Sequence, residues 1–537
     1  MNETIARSVL QAAINCGVKE IIFCSGARNV PFLDILHFEH KVKVIHCPEE
    51  RSAAFYALGR SRQTKSPVAV IVTSGTAAGE LYPAAMESYY LQVPLLLITA
   101  DRPSVFRGSG APQAAEQFNL YGKYARFFKE IEGEECVVDL SHWDKKGVAH
   151  LNVCLDEPKK NHLAPHRPLT YLPKEEVSEP LIQENSLEVL DLFLQNIHYP
   201  LVIVSALDPA SHRDVVSFLS RLQAPLLLEG VSGIREHPDL QDLRVRNIDR
   251  IFESASHFGY PIDGVLRIGG VPTARVWRDL EYLQQRIAVH SISDHSFSGL
   301  SWNREELPYP VKATLRCYVP SRTFFTYALE QWLQDERGFS TRLHQLFAKY
   351  PGAEPSLVHE LSKIIPDKSH VYLGNSLPIR EWDMAAASQD KHLTMTASRG
   401  LCGIDGQVST FLGLSRQFCE NWAILGDLTM IYDMAGFWVV PQMNVEQLTI
   451  VVINNGGGKI FERMFPHKEM LNTHQISFEG LSKMWNFDYV HWTSIPSGHR
   501  SSRRQLIEIV PDPQQTAQFW DDFQTIHNKI EELVSYQ

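Results

Sequence analysis

The sequence has no paired cysteines, no block of like charge and no long apolar run, and each absence excludes a class of protein. The eight cysteines among 537 residues are scattered without a C-x-x-C pair, which argues against zinc and redox motifs. The net charge of −11 is spread along the chain, so a nucleic-acid-binding surface is not expected. Apolar runs such as Val93–Ile98 are far too short to span a membrane. With a polar, acidic Met1–Thr4 and no signal-peptide pattern, we expect a reduced, cytoplasmic protein.

Short apolar runs that alternate with helical patterns are present throughout the chain, and its length suggests about three domains. This alternation predicts an α/β fold with parallel sheets buried on both faces. A polar stretch at 157–184 and a charged helical stretch at 320–355 read as linkers. The clearest predicted strands are Glu20–Cys24, Lys43–Cys47, Val68–Val72, Leu95–Ile98, Leu201–Ser205, Gly264–Ile268, His370–Leu373, Trp422–Leu425 and Leu448–Ile453.

An acid and a pair of amides follow two of these strands. Asp427 comes after the first, and Asn454 and Asn455 come after the second, 454 − 427 = 27 and 455 − 427 = 28 positions later. Two parallel strands joined by one helix would bring the acid and an amide together at the carboxyl ends of the strands. Carboxylate, amide and carbonyl oxygens suit Mg²⁺ that carries phosphates. The glycines at 456–458 would let the backbone approach a diphosphate.

Residues near other strand ends can each be interpreted in two ways, as structural or as functional. Glu50 begins a predicted helix, where an acid is often only a favourable dipole or cap interaction. The turns around Gly75 and Ser376 are either helix starts or loops whose amides hold a diphosphate. Ile404, between glycines, could be a simple packing residue. Five arginines lie at strand ends or in turns, and their forks suit carboxylates, which suggests substrates with several such groups: Arg28, Arg102, Arg275, Arg380 and Arg399.

Several blocks in the chain are similar to those of one enzyme family. They include VIVTSGTAAGELYPA at 70–84, ASRGLCGIDGQVST at 397–410, GDLTMIYDMAG at 426–436 and INNGGGKIF at 453–461. In content and order they resemble the 2-succinyl-5-enolpyruvyl-6-hydroxy-3-cyclohexene-1-carboxylate (SEPHCHC) synthases of menaquinone biosynthesis, which use thiamine diphosphate (ThDP). The resemblance implies three doubly wound parallel-sheet domains: a pyrimidine-binding domain at 1–175, a central domain at 185–340 and a diphosphate-binding domain at 350–537.

The resemblance also implies a cofactor site. Mg²⁺, or Mn²⁺, would be bound by Asp427, Asn455 and the carbonyl of Gly457, with Asn454 and Gly456 as the alternative pair. Glu50 would activate ThDP by hydrogen bonding its aminopyrimidine ring, and Ile404 would hold the cofactor in its bent shape. The residues implied to contact ThDP are Glu50, Thr73, Gly75, Asn375, Ile404, Gly426, Leu428 and Asn455.

The implied reaction is decarboxylation of 2-oxoglutarate, with the thiazolium as electron sink, and 1,4-addition of the resulting succinyl carbanion to isochorismate. The active sites would lie at the dimer interface of a homo-oligomer, and the choice between homodimer and homotetramer stays open. The residues implied to bind the two substrates are Arg28, Arg102, Gln113, Arg275, Ser376, Arg380, Arg399, Ile460, Phe461 and Met464.

The chain departs from the family pattern at Ala27, Pro112, Val276, Ala435 and Lys459. All but Ala435 fall in or near the expected substrate-binding surface, so a related enzyme with another acceptor is the first alternative. A second is a non-catalytic scaffold, which the combination of Glu50, Asp427 and Asn455 argues against. A nucleotide such as FAD in the central domain is weakly supported, because Gly269-Gly270 lacks the rest of the glycine fingerprint.

Overall fold

The computed structural model describes residues 2–133, 138–158, 168–171, 185–283, 286–302 and 309–534. Most of the predicted linker at 157–184 lies outside these residues. The chain divides into two compact units. The first unit contains residues 1–177, 398–418 and 428–446, and the second contains 178–397, 419–427 and 447–537. No helix in the described ranges combines the length and the apolar character needed to cross a membrane.

The first unit contains a six-stranded sheet in which every pairing is parallel. Its strands are β1 (Glu20–Phe23), β2 (Lys43–His46), β3 (Val68–Val72), β4 (Leu95–Asp101), β5 (Ala125–Ile131) and β6 (Val148–Cys154), in the order β2-β1-β3-β4-β6-β5. Its first helices are α1 (Asn2–Asn15), α2 (Val30–Leu36), α3 (Glu50–Thr64), α4 (Thr76–Glu80) and α5 (Tyr82–Leu91). Every residue of β3, β4 and β6 is buried, which confirms the predicted burial of the central strands on both faces.

The second unit begins with a four-stranded parallel sheet. Its strands are β7 (Pro200–Val204), β8 (Leu226–Leu228), β9 (Gly264–Ile268) and β10 (Ala288–Ile292), in the order β10-β9-β7-β8. The helices of this region are α6 (Asn185–Asn196), α7 (His212–Leu222), α8 (Ile251–His257), α9 (Arg275–Asp279), α10 (Val311–Cys317) and α11 (Tyr327–Lys349). The helical stretch predicted around 320–355 is observed as α11.

The third sheet repeats the strand order of the first. Its strands are β11 (His370–Leu373), β12 (Thr394–Thr396), β13 (Glu420–Gly426), β14 (Gln447–Ile453), β15 (Asp488–Trp492) and β16 (Arg504–Ile509), in the order β12-β11-β13-β14-β16-β15. The remaining helices are α12 (Glu354–Ile364), α13 (Leu377–Ala385), α14 (Gln407–Leu414), α15 (Asp427–Tyr432), α16 (Glu479–Trp485) and α17 (Pro513–Val534). In both sheets the chain turns from one side of the first strand to the other, which creates a crevice at the carboxyl ends where open α/β sheets bind ligands.

The connection between β13 and β14 corrects one prediction. Instead of one helix, the chain forms the short helix α15 and then a 3₁₀ segment, Met434–Gln442. Pro441 lies inside this segment and has no backbone N–H to donate, which disfavours a regular α-helix there.

In the first unit, α3 and α14 approach each other closely through two glycines. A Cβ atom on Gly59 would lie 2.3 Å from the Thr410 carbonyl oxygen, and one on Gly413 would lie 2.3 Å from the Tyr56 carbonyl oxygen. These contacts involve backbone, which cannot move aside as a flexible side chain can. The absence of side chains at both positions therefore sets the spacing of the two helices.

Candidate active site

The carboxyl ends of β13 and β14 meet in the second unit, as predicted from the sequence. Asp427 is almost fully buried, and its Oδ2 atom accepts hydrogen bonds from the amides of Gly456 and Gly457, each at 2.9 Å. Both glycines have positive φ, +81° and +143°, which disfavours other residues. A Cβ atom on Gly457 would also lie 2.4 Å from the Leu471 carbonyl oxygen. The glycines therefore let the loop fold onto the Asp427 carboxylate.

The two adjacent amides, Asn454 and Asn455, have different partners. Asn454 donates through Nδ2 to the carbonyl of Ile476 at 2.8 Å and to Glu508 at 2.6 Å. Asn455 donates through Nδ2 to both carboxylate oxygens of Glu354, each at 3.0 Å. Its Oδ1 atom is buried and has no hydrogen-bond partner within the described part of the chain. A buried amide oxygen without a donor, next in sequence to the loop that Asp427 holds, fits a hard cation such as Mg²⁺.

Three residues around this edge were not found from the sequence. The His474 Nε2 atom lies 3.2 Å from Oδ2 of Asp427. Glu354 and Glu381 are buried and hydrogen bonded to each other. Burial is the largest cause that raises the pKa of each carboxyl above its usual range. No local motif marks these residues, because their positions depend on contacts between segments far apart in the chain.

The turn after β11 has the geometry of an anion-binding site. Ser376 precedes α13 with φ +75°, a conformation that is uncommon for a residue other than glycine, and its hydroxyl does not cap the helix. Ser376 therefore occupies the N-cap position of α13, as one reading predicted, but without a capping hydrogen bond from its side chain. Asn375 is buried in the same turn, and Arg380 is exposed in the first half of α13. The first amides of a helix without a side-chain cap are suited to a phosphate group.

In the first unit, four predicted residues lie together beyond β3 and β4. Gly75 has φ +86° and donates its amide to Gln117 at 2.7 Å, and a Cβ on Gly75 would lie 3.3 Å from the Cα of Gln113. The Thr73 hydroxyl is buried and has no hydrogen-bond partner among the described residues. The Arg102 Nε atom donates to the Pro112 carbonyl at 3.0 Å.

Gln117, which was not singled out from the sequence, belongs to this group as well. Besides accepting from Gly75, its side chain donates to the Ala100 carbonyl and to the Asn152 side chain.

The two adjacent acids at the start of α3 are distinguished by their partners. The Glu49 side chain caps the helix, accepting from the amides of Arg51 at 3.2 Å and Ser52 at 2.8 Å. Glu50 is the first residue of the helix and is half-buried. Burial raises the pKa of Glu50, its own amide lowers it less, and the charges of Glu49 and Glu80 raise it further. Glu50 is therefore the acid that remains available for a ligand.

The loop before α14 carries Arg399 and Ile404 and is held by a buried acid. Glu87, in α5, accepts from the amides of Gly400 at 2.9 Å and Leu401 at 2.6 Å. The loop ends at Gly406, where φ is +61° and a Cβ would lie 2.0 Å from the Phe55 ring. Glu87 is a positioning group that sequence reasoning missed, since its partners lie more than 300 positions away.

The other predicted site residues have different surroundings. Arg28 forms an ion pair with Glu157 at 2.8 Å and donates to the Leu155 carbonyl at 3.1 Å. Arg275 is exposed and pairs with Asp279 at 3.4 Å, whereas its neighbour Val276 is buried in the core of the second sheet. Gly426 and Leu428, which flank Asp427, are both partly buried. The contacts of Arg28 and Arg275 do not test whether these side chains bind a substrate. Their roles in substrate binding stay predictions.

The three apolar residues implied to bind the substrates lie in an exposed segment of the second unit. Ile460 and Phe461 lie in a 3₁₀ turn that follows the glycine loop, Lys459–Phe461, and Met464 comes three residues later. Phe461 and Met464 are 36% and 58% exposed. Large apolar side chains exposed beside a polar loop are consistent with a surface that a ligand or a partner covers.

A second group of residues in the described ranges lies close enough to bind a cation. The ligand atoms of Glu130, Glu132 and Cys154 lie within 4.8 Å of one another. Arg107 forms ion pairs with Glu130 and with Asp101 there, so a cation would meet a positive charge already in place. The Asp427 loop is the better candidate for a metal that carries phosphate.

Comparison with known proteins agrees with this geometry. Residues 3–120 match the family described as thiamine pyrophosphate enzyme, N-terminal TPP binding domain. A 2-succinyl-5-enolpyruvyl-6-hydroxy-3-cyclohexene-1-carboxylate synthase of Bdellovibrio bacteriovorus is 39% identical over 528 residues, covering 97% of this chain and 98% of that protein. The synthase of Akkermansia muciniphila is 34% identical, covering 96% and 97%, and that of Listeria welshimeri is 29% identical, covering 86% and 84%. The chain thus belongs to the family of ThDP-dependent SEPHCHC synthases.

Proposed function

We propose that this enzyme decarboxylates 2-oxoglutarate and adds the resulting succinyl carbanion to isochorismate in a 1,4 sense, releasing CO₂ and SEPHCHC. The observation that carries the proposal is the buried Asp427 carboxylate, which holds the glycine loop next to the Asn455 amide oxygen, an atom with no hydrogen-bond partner in the described ranges. This arrangement suits a metal ion that anchors a diphosphate. Relatives that match almost the whole chain are named as synthases of this product.

The metal site is assigned to three oxygen atoms at the carboxyl ends of β13 and β14. Mg²⁺, or Mn²⁺, is bound by the Asp427 carboxylate, the Asn455 amide oxygen and the Gly457 carbonyl. Asn455 is preferred to Asn454 because its Oδ1 atom is buried without a hydrogen-bond partner among the described residues. The backbone around Gly426 and Leu428, together with the amides after Asn375, contacts the diphosphate of the cofactor.

ThDP, when bound, supplies the electron sink that makes the decarboxylation possible. Thr73 and Gly75 contact its pyrimidine side, and Ile404 gives it apolar support. Glu50 would hydrogen bond the ring and would hold a proton for it at its carboxyl group. A carboxyl whose pKa is raised by burial is suited to proton exchange near neutral pH.

Arginine and polar side chains bind the carboxylates of the two substrates. Guanidinium groups hold carboxylates in a fixed orientation through paired hydrogen bonds, which favours positioning of the two reactants. Ile460, Phe461 and Met464 cover the apolar part of the acceptor and exclude water from it. The polar groups assigned to the substrates are Arg28, Arg102, Gln113, Arg275, Ser376, Arg380 and Arg399.

The active enzyme is a cytoplasmic homodimer or homotetramer with its active sites at the dimer interface. Phe461, Met464 and Phe465 are exposed close together in one segment. They support an interface near the active site, because clustered exposed apolar side chains mark contact surfaces. Light scattering on the purified protein, with and without ThDP and Mg²⁺, gives the oligomeric state. A monomer under both conditions would contradict a shared site.

The test of the reaction is CO₂ release from 2-oxoglutarate in the presence of ThDP and Mg²⁺, measured with and without isochorismate. We expect isochorismate to accelerate CO₂ release and mass spectrometry to detect SEPHCHC. If 2-oxoglutarate is consumed but isochorismate has no effect, the acceptor is a different electrophile. Pro112 and Ala27, both exposed departures from the family pattern, are the residues that favour this second candidate. If calorimetry detects no binding of ThDP with Mg²⁺, both candidates are wrong.

A further inference from the structure

The orientation of the Asn455 amide is set by its contact with Glu354. Both hydrogen bonds between them involve Nδ2 of Asn455, and both carboxylate oxygens of Glu354 accept at 3.0 Å. Because both oxygens of Glu354 accept these bonds, the amide faces the carboxyl group with its NH₂ group. The carbonyl oxygen then points to the opposite side, where it is buried without a donor in the described part of the structure.

Glu354 is itself held rigidly in this position. It is the first residue of α12, where the positive end of the helix dipole favours a carboxylate. Its backbone amide donates to the Thr516 hydroxyl at 3.1 Å, and its side chain is hydrogen bonded to Glu381. Because both glutamates are buried, few other rotamers are open to Glu354.

We infer that Glu354 is a positioning residue that keeps the Asn455 carbonyl oxygen directed at the metal ion. The inference rests on the proposed function, since it takes Asn455 as a metal ligand. Without an acceptor opposite Nδ2, the amide can rotate by half a turn and present its NH₂ group to the cation. Groups that orient a metal ligand from behind typically contribute about 10- to 100-fold in metal affinity.

The space behind Glu354 determines which substitution is informative. Glu354, Glu381 and Asn455 line a cavity of about 260 Å³ together with Arg463 and Trp520, whose ring centroid lies 3.6 Å from the guanidinium carbon. Alanine at 354 would enlarge this cavity and destabilise its surroundings. Glutamine keeps the shape but both donates and accepts hydrogen bonds, so it bonds either orientation of the Asn455 amide. Glu354→Gln therefore removes the orientation and keeps the packing.

The neighbouring amide, Asn454, provides a matched control. Glu508 is also buried and accepts from the Nδ2 atom of Asn454 at 2.6 Å. Glu508→Gln makes the same chemical change behind the amide that is not assigned to the metal. The two variants therefore separate the orientation of Asn455 from the general effect of replacing a buried glutamate in the second unit.

The experiment measures Mn²⁺ binding to the full-length protein in the presence of ThDP, by the electron paramagnetic resonance signal of free Mn²⁺. Thermal unfolding without ligands checks that each variant is folded, and SEPHCHC formation at rising Mg²⁺ gives a second readout. We expect Glu354→Gln to weaken Mn²⁺ binding by about 10-fold or more, and Glu508→Gln to leave it within about twofold of the wild type. Activity of Glu354→Gln should recover at high Mg²⁺.

Each other outcome has a defined meaning. If wild-type protein binds Mn²⁺ and Glu354→Gln binds it equally well, the positioning role is wrong and the proposed function stands. Equal losses in both variants would also overturn the role, because the effect would then not depend on Asn455. A loss only in Glu508→Gln would make Asn454 the ligand. If the wild type binds no Mn²⁺ with ThDP, the proposed function itself fails.

Discussion

Glu49 and Glu50 are adjacent at the start of α3, and only Glu49 is bound into the helix cap. The Glu49 carboxylate accepts from two backbone amides at 3.2 and 2.8 Å. Glu50 is half-buried, and its pKa is raised mainly by that burial. Two chemically identical side chains therefore have separate tasks, one structural and one available for chemistry.

Substitution of each acid by glutamine should separate these tasks. Glu50→Gln should lower kcat by roughly 100-fold or more, because a neutral amide cannot exchange the proton. Calorimetry should show that ThDP still binds. Glu49→Gln should keep most of the activity and lower stability by about 1 kcal/mol through its weaker cap. Equal kinetic effects of the two substitutions would contradict the assignment of Glu50.

Removal of each asparagine side chain tests the metal ligand directly. Asn455→Ala should weaken Mg²⁺ binding by more than about 100-fold, beyond the usual effect of losing an outer contact. Asn454→Ala should retain Mg²⁺ binding, although the loss of bonds to Ile476 and Glu508 lowers its stability. Calorimetric titration with Mg²⁺ at saturating ThDP measures both affinities. The reverse ranking would assign the metal to Asn454.

Arg380 is expected to bind a substrate carboxylate. Arg380→Met removes the charge but keeps an unbranched side chain, so we expect KM for a substrate to rise by about 10- to 100-fold, the loss of one charged hydrogen-bond pair. Steady-state kinetics with each substrate varied in turn would identify which one is held. Arg221→Ala serves as control, because Arg221 is exposed and bonds to Ser217 in its own helix. Unchanged KM values for Arg380→Met would remove Arg380 from the site.

Gly59→Ala should destabilise the packing of α3 on α14. Its Cβ would lie 2.3 Å from a backbone oxygen, and such overpacking costs about 1–3 kcal/mol. Gly480→Ala is the matched control, since Gly480 lies in α16 with open space around its Cβ. The control should be neutral or stabilise slightly through helix propensity. Thermal unfolding compares the two, and equal midpoints would contradict the close contact.

Asp433 should make stability depend on pH. It is buried, accepts hydrogen bonds from Ser409 and Ser52, and burial is the largest cause that raises its pKa to about 6, while these bonds and the charge of Arg51 lower it. The unfolded value is about 3.8. The folded state therefore binds the proton more tightly, and this favourable contribution is present below about pH 4 and is lost as pH rises through 6.

Asp433→Asn removes this dependence. The free energy of unfolding of the variant, taken relative to that of the wild type, should increase by about 3 kcal/mol as pH rises from about 4 to about 7. This change corresponds to a pKa shift of about two units. Urea unfolding at several pH values measures the difference between the two proteins. A difference that is constant with pH would show that Asp433 has the same pKa in both states.

The strands were predictable because a buried strand forms a run of consecutive, mostly apolar residues. Val68–Val72, Gly264–Ile268 and His370–Leu373 are observed with the predicted bounds. In a parallel sheet covered on both faces most side chains of a central strand are apolar, so the apolar run largely coincides with the strand. The polar ends of β13 and β14 also met as predicted, because parallel neighbours end at the same edge.

The buried acids around the site were not predictable from the same signals. Glu87 holds a loop, and Glu354 and Glu508 each hold a side-chain amide. In each case the group that is held lies 54 or more positions away in the chain. A single glutamate in a helix or strand gives no local sign of burial, since this residue type is usually exposed. The 3₁₀ segment before β14 was missed for a related reason, because its apolar residues fit a helix and only Pro441 argues against one.

The glycine contact between α3 and α14 has a mechanical consequence. Glu50 begins one of these helices, and Ile404 lies two residues before the glycine that precedes the other. Because backbone touches backbone at Gly59 and Gly413, neither helix can slide or tilt without a clash against the other. The acid and the apolar residue are therefore carried by one stiff body, and their separation should change little with temperature or during turnover.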